Sequence, residues 1–102
     1  MKPHYFWEKT YAAVRSLVGI LPIKERLIYA YGSLLPLKTV DVPEEFQEEL
    51  RDIMSIISAV EDDGFSGKIN IAVRRMTEEE AFGVALKILS LYDSVTRHMN
   101  PH

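Results

Sequence analysis

The sequence predicts an all-α fold, an antiparallel bundle of four principal helices plus one short helix, in a single domain over residues 1–102. Apolar residues recur every three or four positions through most of the chain, which is the period of one helix face. Two segments, Asp41–Glu44 and Thr77–Glu80, place a capping side chain three residues before a Glu, a pattern typical of helix starts. Short connections make sequential helices antiparallel neighbours.

Composition is that of one globular domain. The chain has 102 residues, of which 47% are hydrophobic, and this suffices for a core without disulfides. It contains no cysteine. No apolar run approaches the roughly 18 residues that cross a bilayer. Charged residues interrupt the N-terminal segment where a signal peptide has its apolar stretch. We therefore expect a cytoplasmic protein.

The first two helices are predicted at about residues 4–20 and from Pro22 to Pro36, because proline suits a first helical turn and stops a helix from continuing. Each has an apolar face. In the first helix the main row is Trp7, Tyr11, Val14, Val18 and Leu21, with a second row of Phe6, Ala13, Leu17 and Ile20. In the second helix the row is Ile23, Leu27, Ala30, Tyr31 and Leu34.

The third and last helices are predicted at about residues 42–62 and from Thr77 to about Met99. The third has one clean apolar row: Phe46, Leu50, Ile53, Ile57 and Val60. The last helix is apolar around most of its circumference, which is typical of a central helix or of one half of an oligomer interface. We expect it to lie centrally or to form a homodimer contact.

Residues 65–76 allow two interpretations. Ile69, Ile71 and Val73 alternate as in a strand, whereas Ile69, Val73 and Met76 share one helical face. Nothing else in the chain has the pattern of a partner strand, and an isolated strand is not stable. The pattern therefore favours a short helix over about 66–75, capped by Ser66 and following the helix stop at Gly64.

Charge is segregated along the chain. The net charge is −3, with +4 in residues 1–40, −8 in residues 41–63 and +1 in residues 64–102. An acidic balance argues against nucleic-acid binding, since phosphate contacts need a basic surface. The acid concentrates on one face of the third helix, which we interpret as a docking surface for a basic partner. Its residues are Glu45, Glu48, Glu49 and Asp52.

The function expected from these features is a small non-enzymatic protein-interaction module, a regulator or accessory subunit that acts through helical surfaces. The sequence has no catalytic or nucleotide-binding pattern of sufficient specificity, so we expect no cofactor, and whether it is an enzyme stays uncertain. The expected partner is another protein or a second copy of the chain. We expect no transmembrane segment.

The alternative is a small ribonuclease. The segment Arg97-His98-Met99-Asn100-Pro101-His102 has an Arg-His-x-x-x-His spacing that resembles the motif of HEPN-family ribonucleases. In that family the motif lies within a helix, and its Arg and His face an RNA phosphodiester across a dimer. The resemblance covers six residues and implies that Arg97, His98 and His102 are catalytic. Pro101 departs from a continuous helix.

Two groups of residues have spacings that resemble ion sites. His98 and His102 are four residues apart, as helical zinc ligands are, with His4 as a third ligand. The turn from Asp62 to Ile69 partly matches a calcium loop, but Val73 stands where the bidentate Glu is needed. The histidine spacing is equally expected of exposed residues near a terminus. The turn is equally expected of an ordinary connection between two helices. We expect no metal.

Overall fold

The computed structural model describes residues 3–61 and 67–99, and within these ranges it contains α-helices and no strand. Four longer helices and one short helix follow one another, so the all-α prediction and the short helix within 66–75 are confirmed. The helices are α1 (Pro3–Leu17), α2 (Ile23–Leu34), α3 (Glu44–Ser58), α4 (Gly67–Arg74) and α5 (Glu78–His98), with a 3₁₀ turn at Thr39–Asp41.

Helix α5 contacts α1, α2 and α3, while α4 packs against α2 and α3. Helices α1 and α5 run antiparallel. Near one end, the Trp7 Nε1–H donates to Thr96 Oγ1 at 2.9 Å. One turn further along α1, the Tyr11 and Tyr92 rings lie 6.0 Å apart. The predicted central position of the last helix therefore agrees with its packing.

Tyr31 is the largest fully buried side chain and joins α2 to α3. Its hydroxyl donates to the backbone oxygen of Ile53 at 2.9 Å. Burial raises the pKa of Tyr31, because the phenolate form loses its hydration in the core. The predicted core row of α2 is confirmed, since all five of its members are buried: Ile23, Leu27, Ala30, Tyr31 and Leu34.

An ion pair joins α2 to the short helix α4. Arg74 Nη1 donates to Glu25 Oε1 at 2.7 Å. This hydrogen bond holds the pKa of Glu25 below its usual value of 4.5. Gly67, the first residue of α4, has φ +75°, a left-handed conformation that glycine adopts without the steric penalty of a Cβ. The predicted cap Ser66 and the stop at Gly64 lie outside the described residues.

The two predicted helix starts have different outcomes. Thr77 caps α5 as predicted: its hydroxyl accepts from Glu80 N at 3.0 Å, and the Glu80 carboxylate accepts from Thr77 N at 2.8 Å. The predicted cap at Asp41 is wrong. Its carboxylate instead accepts from Lys38 N at 2.9 Å and closes the 3₁₀ turn. Pro43 takes the N-cap position of α3 without a side-chain bond.

The predicted core row of α1 is also wrong in part. Val18 lies beyond the end of α1 and is 78% exposed, and Tyr11 is 42% exposed. The buried row contains Phe6 and Ala13, with Thr10 between them. Thr10 tolerates burial because its hydroxyl donates to the backbone oxygen of Trp7 at 2.9 Å. The predicted main row lies instead at the edge of the bundle.

Helix α3 ends at Ser58, four residues before the predicted end. Phe46, Leu50, Ile53 and Ile57 are buried, as predicted. Val60 lies beyond the helix and is half-buried. Within the ranges that the structure describes, none of the helices is long and apolar enough to span a bilayer.

Candidate interaction surface

Helix α5 has two apolar faces. The inner face is buried in the bundle and consists of Ala81, Val84, Ile88, Leu91 and Val95. Phe82, Leu86 and Leu89 form a second row with the i, i+4, i+7 spacing of one helix face. These three side chains, the outer stripe, are 51%, 62% and 45% exposed. About half of the surface of each of these side chains is therefore in contact with water.

A groove separates the outer stripe from the end of α1. Its walls include the outer stripe and, on the α1 side, Val14, Leu17 and Val18. Arg26 also lines the groove, but its guanidinium is already bound. It donates to the backbone oxygen of Leu21 at 2.6 Å and to that of Leu17 at 2.9 Å, which caps the end of α1. The groove thus presents mainly apolar groups.

On its other side the outer stripe adjoins the acidic face of α3. Glu49, Asp52 and Ile53 share a shallow depression with Leu86 and with the nearby Lys87 and Ser90 of α5. Two carboxylates therefore lie beside the apolar row. This adjacency of acid and exposed apolar surface arises because α3 packs against α5.

The four acidic residues predicted as a docking face lie on one side of α3, since their spacing confines them to one arc of the helix. Glu45, Glu48 and Asp52 are exposed, and Glu49 is half-buried. Glu45 has a partner, because its Oε2 lies 3.3 Å from His98 Nε2. Glu49 and Asp52 lie toward the middle of α5, where they line the depression with Leu86 and Ser90.

Further carboxylates stand at both ends of the outer stripe. Glu78 and Glu79 precede Phe82 by one turn on the same side of α5. Asp93 follows Leu89 by one turn and is bound by Arg97, whose Nε lies 2.9 Å from Asp93 Oδ2. The outer stripe is thus bordered by acid at each end and along its α3 side.

The residues of the ribonuclease alternative point to different partners. Arg97 binds Asp93 on its own helix. His98 reaches α3, where its ring meets Phe46 edge-on with centroids 5.3 Å apart. His102 lies outside the described residues.

The two ion sites are equally untested by the structure. The turn from Asp62 to Ser66 falls outside the described residues. His4 stacks on Trp7 with ring centroids 6.2 Å apart, while His98 contacts α3. Within residues 3–61 and 67–99, no cluster of three His, Cys, Asp or Glu side chains has the arrangement of a metal site.

The contribution of Val18 to this surface was missed by sequence reasoning, which assigned Val18 to the core. A signal was present, because Gly19 and Pro22 follow within four residues and end the helix before Val18 can pack as part of it. The exposure of Leu86 had no comparable signal. Phe82 and Leu89 lie beside it on one side of the helix and fit burial, whereas Lys87 and Ser90 lie on the other.

Comparison with known proteins gives no functional lead. No protein-family model matches the sequence, and no curated protein and no solved structure matches it significantly.

Proposed function

We propose that this chain is a small protein-interaction module, a regulator or accessory subunit, whose contact surface joins the outer stripe of α5 to the acidic face of α3. The observation that carries the proposal is the outer stripe itself. Leu86 is 62% exposed and Phe82 is 51% exposed, although both lie within a long, well-packed helix. Contiguous exposed apolar surface with a polar rim is typical of protein–protein contacts.

The chemistry of the surface suits association better than catalysis. Apolar side chains supply the free energy of binding when a partner removes them from water, roughly 25 cal/mol for each Å². The carboxylates of Glu48, Glu49 and Asp52 contribute long-range attraction that raises the encounter rate of a basic partner. Both terms act without any nucleophile or general base.

The acidic half of the surface is tested by charge reversal. Substituting Glu45→Lys, Glu48→Lys and Glu49→Lys together is expected to abolish capture of the proteins that the native chain retains from a lysate of its source cells. Helicity at 222 nm should stay unchanged, because Glu45 and Glu48 are exposed and the half-buried Glu49 is not part of the core. Glu8→Lys, a reversal on the exposed side of α1, is the control and should leave capture intact. Unchanged capture by the triple variant would eliminate the acidic face as the docking site.

Two occupants fit an exposed apolar row on the last helix: a second copy of the chain, which gives a homodimer, and a different protein. Analytical ultracentrifugation of the purified chain at micromolar concentration separates them. A mass twice that of the chain identifies the homodimer. A mass of about 11.7 kDa excludes a stable homodimer at that concentration and leaves a different protein as the proposed occupant.

The ribonuclease alternative has its own test. Deletion of residues 97–102 leaves most of α5 in place, so a module that binds through the outer stripe keeps its partner. A nuclease that depends on Arg97 and His98 loses all RNA cleavage. RNA cleavage that persists after the deletion would contradict the nuclease alternative.

A further inference from the structure

We propose that the occupant of the outer stripe is a basic amphipathic helix of another protein, laid along α5 with its apolar side on Phe82, Leu86 and Leu89. Its Lys and Arg side chains reach Glu49 and Asp52. The inference rests on the proposed function, since it names the class of partner for the same surface.

The shape of the surface matches a helix. From Phe82 to Leu89 the outer stripe rises seven residues, about 10 Å along the axis, which is two turns of a second helix. Depressions lie on both sides of it, one toward Val18 and one toward Asp52. A ridge with a groove on either side is the surface against which the side chains of another helix interdigitate.

The charges around the outer stripe select a basic occupant. Carboxylates border it at Glu78 and Glu79, at Asp93, and along α3. Two of the nearby cations are engaged within the chain: Arg26 binds backbone oxygens and Arg97 binds Asp93. A third, Lys87, shares the depression with Glu49 and Asp52, which leaves that depression with a net negative charge. An apolar helix flanked by Lys or Arg therefore meets complementary charge at the Glu78–Glu79 end and along α3, while Asp93 at the other end already binds Arg97.

The same charges disfavour a second copy. If two α5 helices pair antiparallel so that Phe82 meets Leu89 of the second copy, Glu78 lies opposite Asp93 of the second copy. If they pair in parallel, each carboxylate faces its own counterpart. Like charges opposed across an interface weaken it. A basic helix replaces both repulsions with attraction.

Three designed peptides of equal length test the inference against the full chain by fluorescence anisotropy. The first carries a leucine row at helical spacing flanked by lysines. The second has the same composition in scrambled order, and the third replaces lysine with glutamate. We expect the first to bind at least tenfold tighter than either of the others, since tenfold in affinity corresponds to about 1.4 kcal/mol.

Variants locate the site. Leu86→Ser should lower the affinity of the chain for the leucine–lysine peptide by about tenfold or more, a loss in the range of an interface hot spot. The matched control is Tyr29→Ser, because Tyr29 on α2 is also 62% exposed. Glu49→Lys with Asp52→Lys should weaken binding and flatten its salt dependence, as expected when partner charges are removed.

Each other outcome overturns the inference. Equal binding of all three peptides, or equal loss with Leu86→Ser and Tyr29→Ser, shows that no helix is selected at this surface. A dimeric mass that Leu86→Ser converts to a monomeric one makes the occupant a second copy. In that case the proposed interaction function survives while the inference fails. If the peptide binds but position 86 contacts no protein in cells, the proposed function fails instead.

Discussion

Removing the side chain of Leu86 should cost little stability, whereas removing that of Leu91, five residues later on the same helix, should cost much. Leu86 is 62% exposed and Leu91 is 0% exposed. Full burial of a leucine is worth about 1.5–3 kcal/mol, so the buried 38% of Leu86 is worth about 0.6–1.1 kcal/mol. Alanine keeps the Cβ and favours helix, which makes about 1 kcal/mol an upper bound for Leu86→Ala.

Leu91→Ala removes the same atoms from the core and leaves a cavity. Substitutions of this kind cost about 2.7–5 kcal/mol. In a domain of this size about 1 kcal/mol shifts the melting temperature by about 4–8 °C. We therefore expect a drop of at least about 10 °C for Leu91→Ala and a few degrees for Leu86→Ala.

Urea unfolding followed by circular dichroism at 222 nm measures both variants under one protocol. If the free energy of unfolding falls with urea concentration at the same slope in both variants, the difference between their midpoints reports stability alone. A loss of 2 kcal/mol or more for Leu86→Ala, on the order of the Leu91→Ala loss, would refute the reasoning. It would mean that the outer stripe is covered in the folded chain and is not available to a partner.

Three further predictions concern the bundle itself. Tyr31→Phe should destabilise by about 1 kcal/mol in urea unfolding, because it removes a buried hydrogen bond and keeps the ring; no loss would show that the bond contributes nothing. Thr77→Ala should lower the free energy of unfolding by about 1 kcal/mol, because it removes a helix cap. Asp41→Ala should lower it less, because Asp41 caps no α-helix. A larger loss for Asp41→Ala than for Thr77→Ala would contradict the assigned helix starts. Since the pKa of Glu25 is lowered on folding, its contribution to stability is present above pH 4.5 and is lost as the pH falls through the lowered value. Arg74→Gln should remove that part of the acid dependence in a pH series of unfolding midpoints, and an unaltered series would exclude the pair as its source.

The helices were predictable because local signals agree with the packing. In α2 the apolar spacing selects one face, and all five residues of that face are buried. At Thr77 the capping side chain and the Glu three residues later both fit the start of α5. In both cases the local signals and the tertiary packing agree.

Predictions failed where several local solutions compete. Asp41 has the right sequence spacing from Glu44 for a cap, but its carboxylate accepts instead from the backbone N–H of Lys38. In α1 two apolar rows compete for the core, and the neighbouring helices decide in favour of the row with Phe6. Local sequence carries no information about that decision.

The candidate surface was only half predictable. The acidic face of α3 follows from spacing alone, because four carboxylates within eight residues fall on one arc of a helix. That the apolar half adjoins it depends on the packing of α3 against α5, a contact between helices that are separated in sequence by the whole of α4. The exposure of Leu86 is decided by the same long-range contact, so it appears only in the folded chain.

The most direct test of the proposed contact surface is photo-crosslinking in the source cells from single positions of the chain. A benzophenone side chain replaces Leu86 in one variant and Tyr29 in the other, two sites with the same 62% exposure on different faces. We predict that position 86 yields a discrete crosslinked protein and that position 29 yields none. Equal products from both positions, or none from position 86, would contradict the assignment of this surface to a partner.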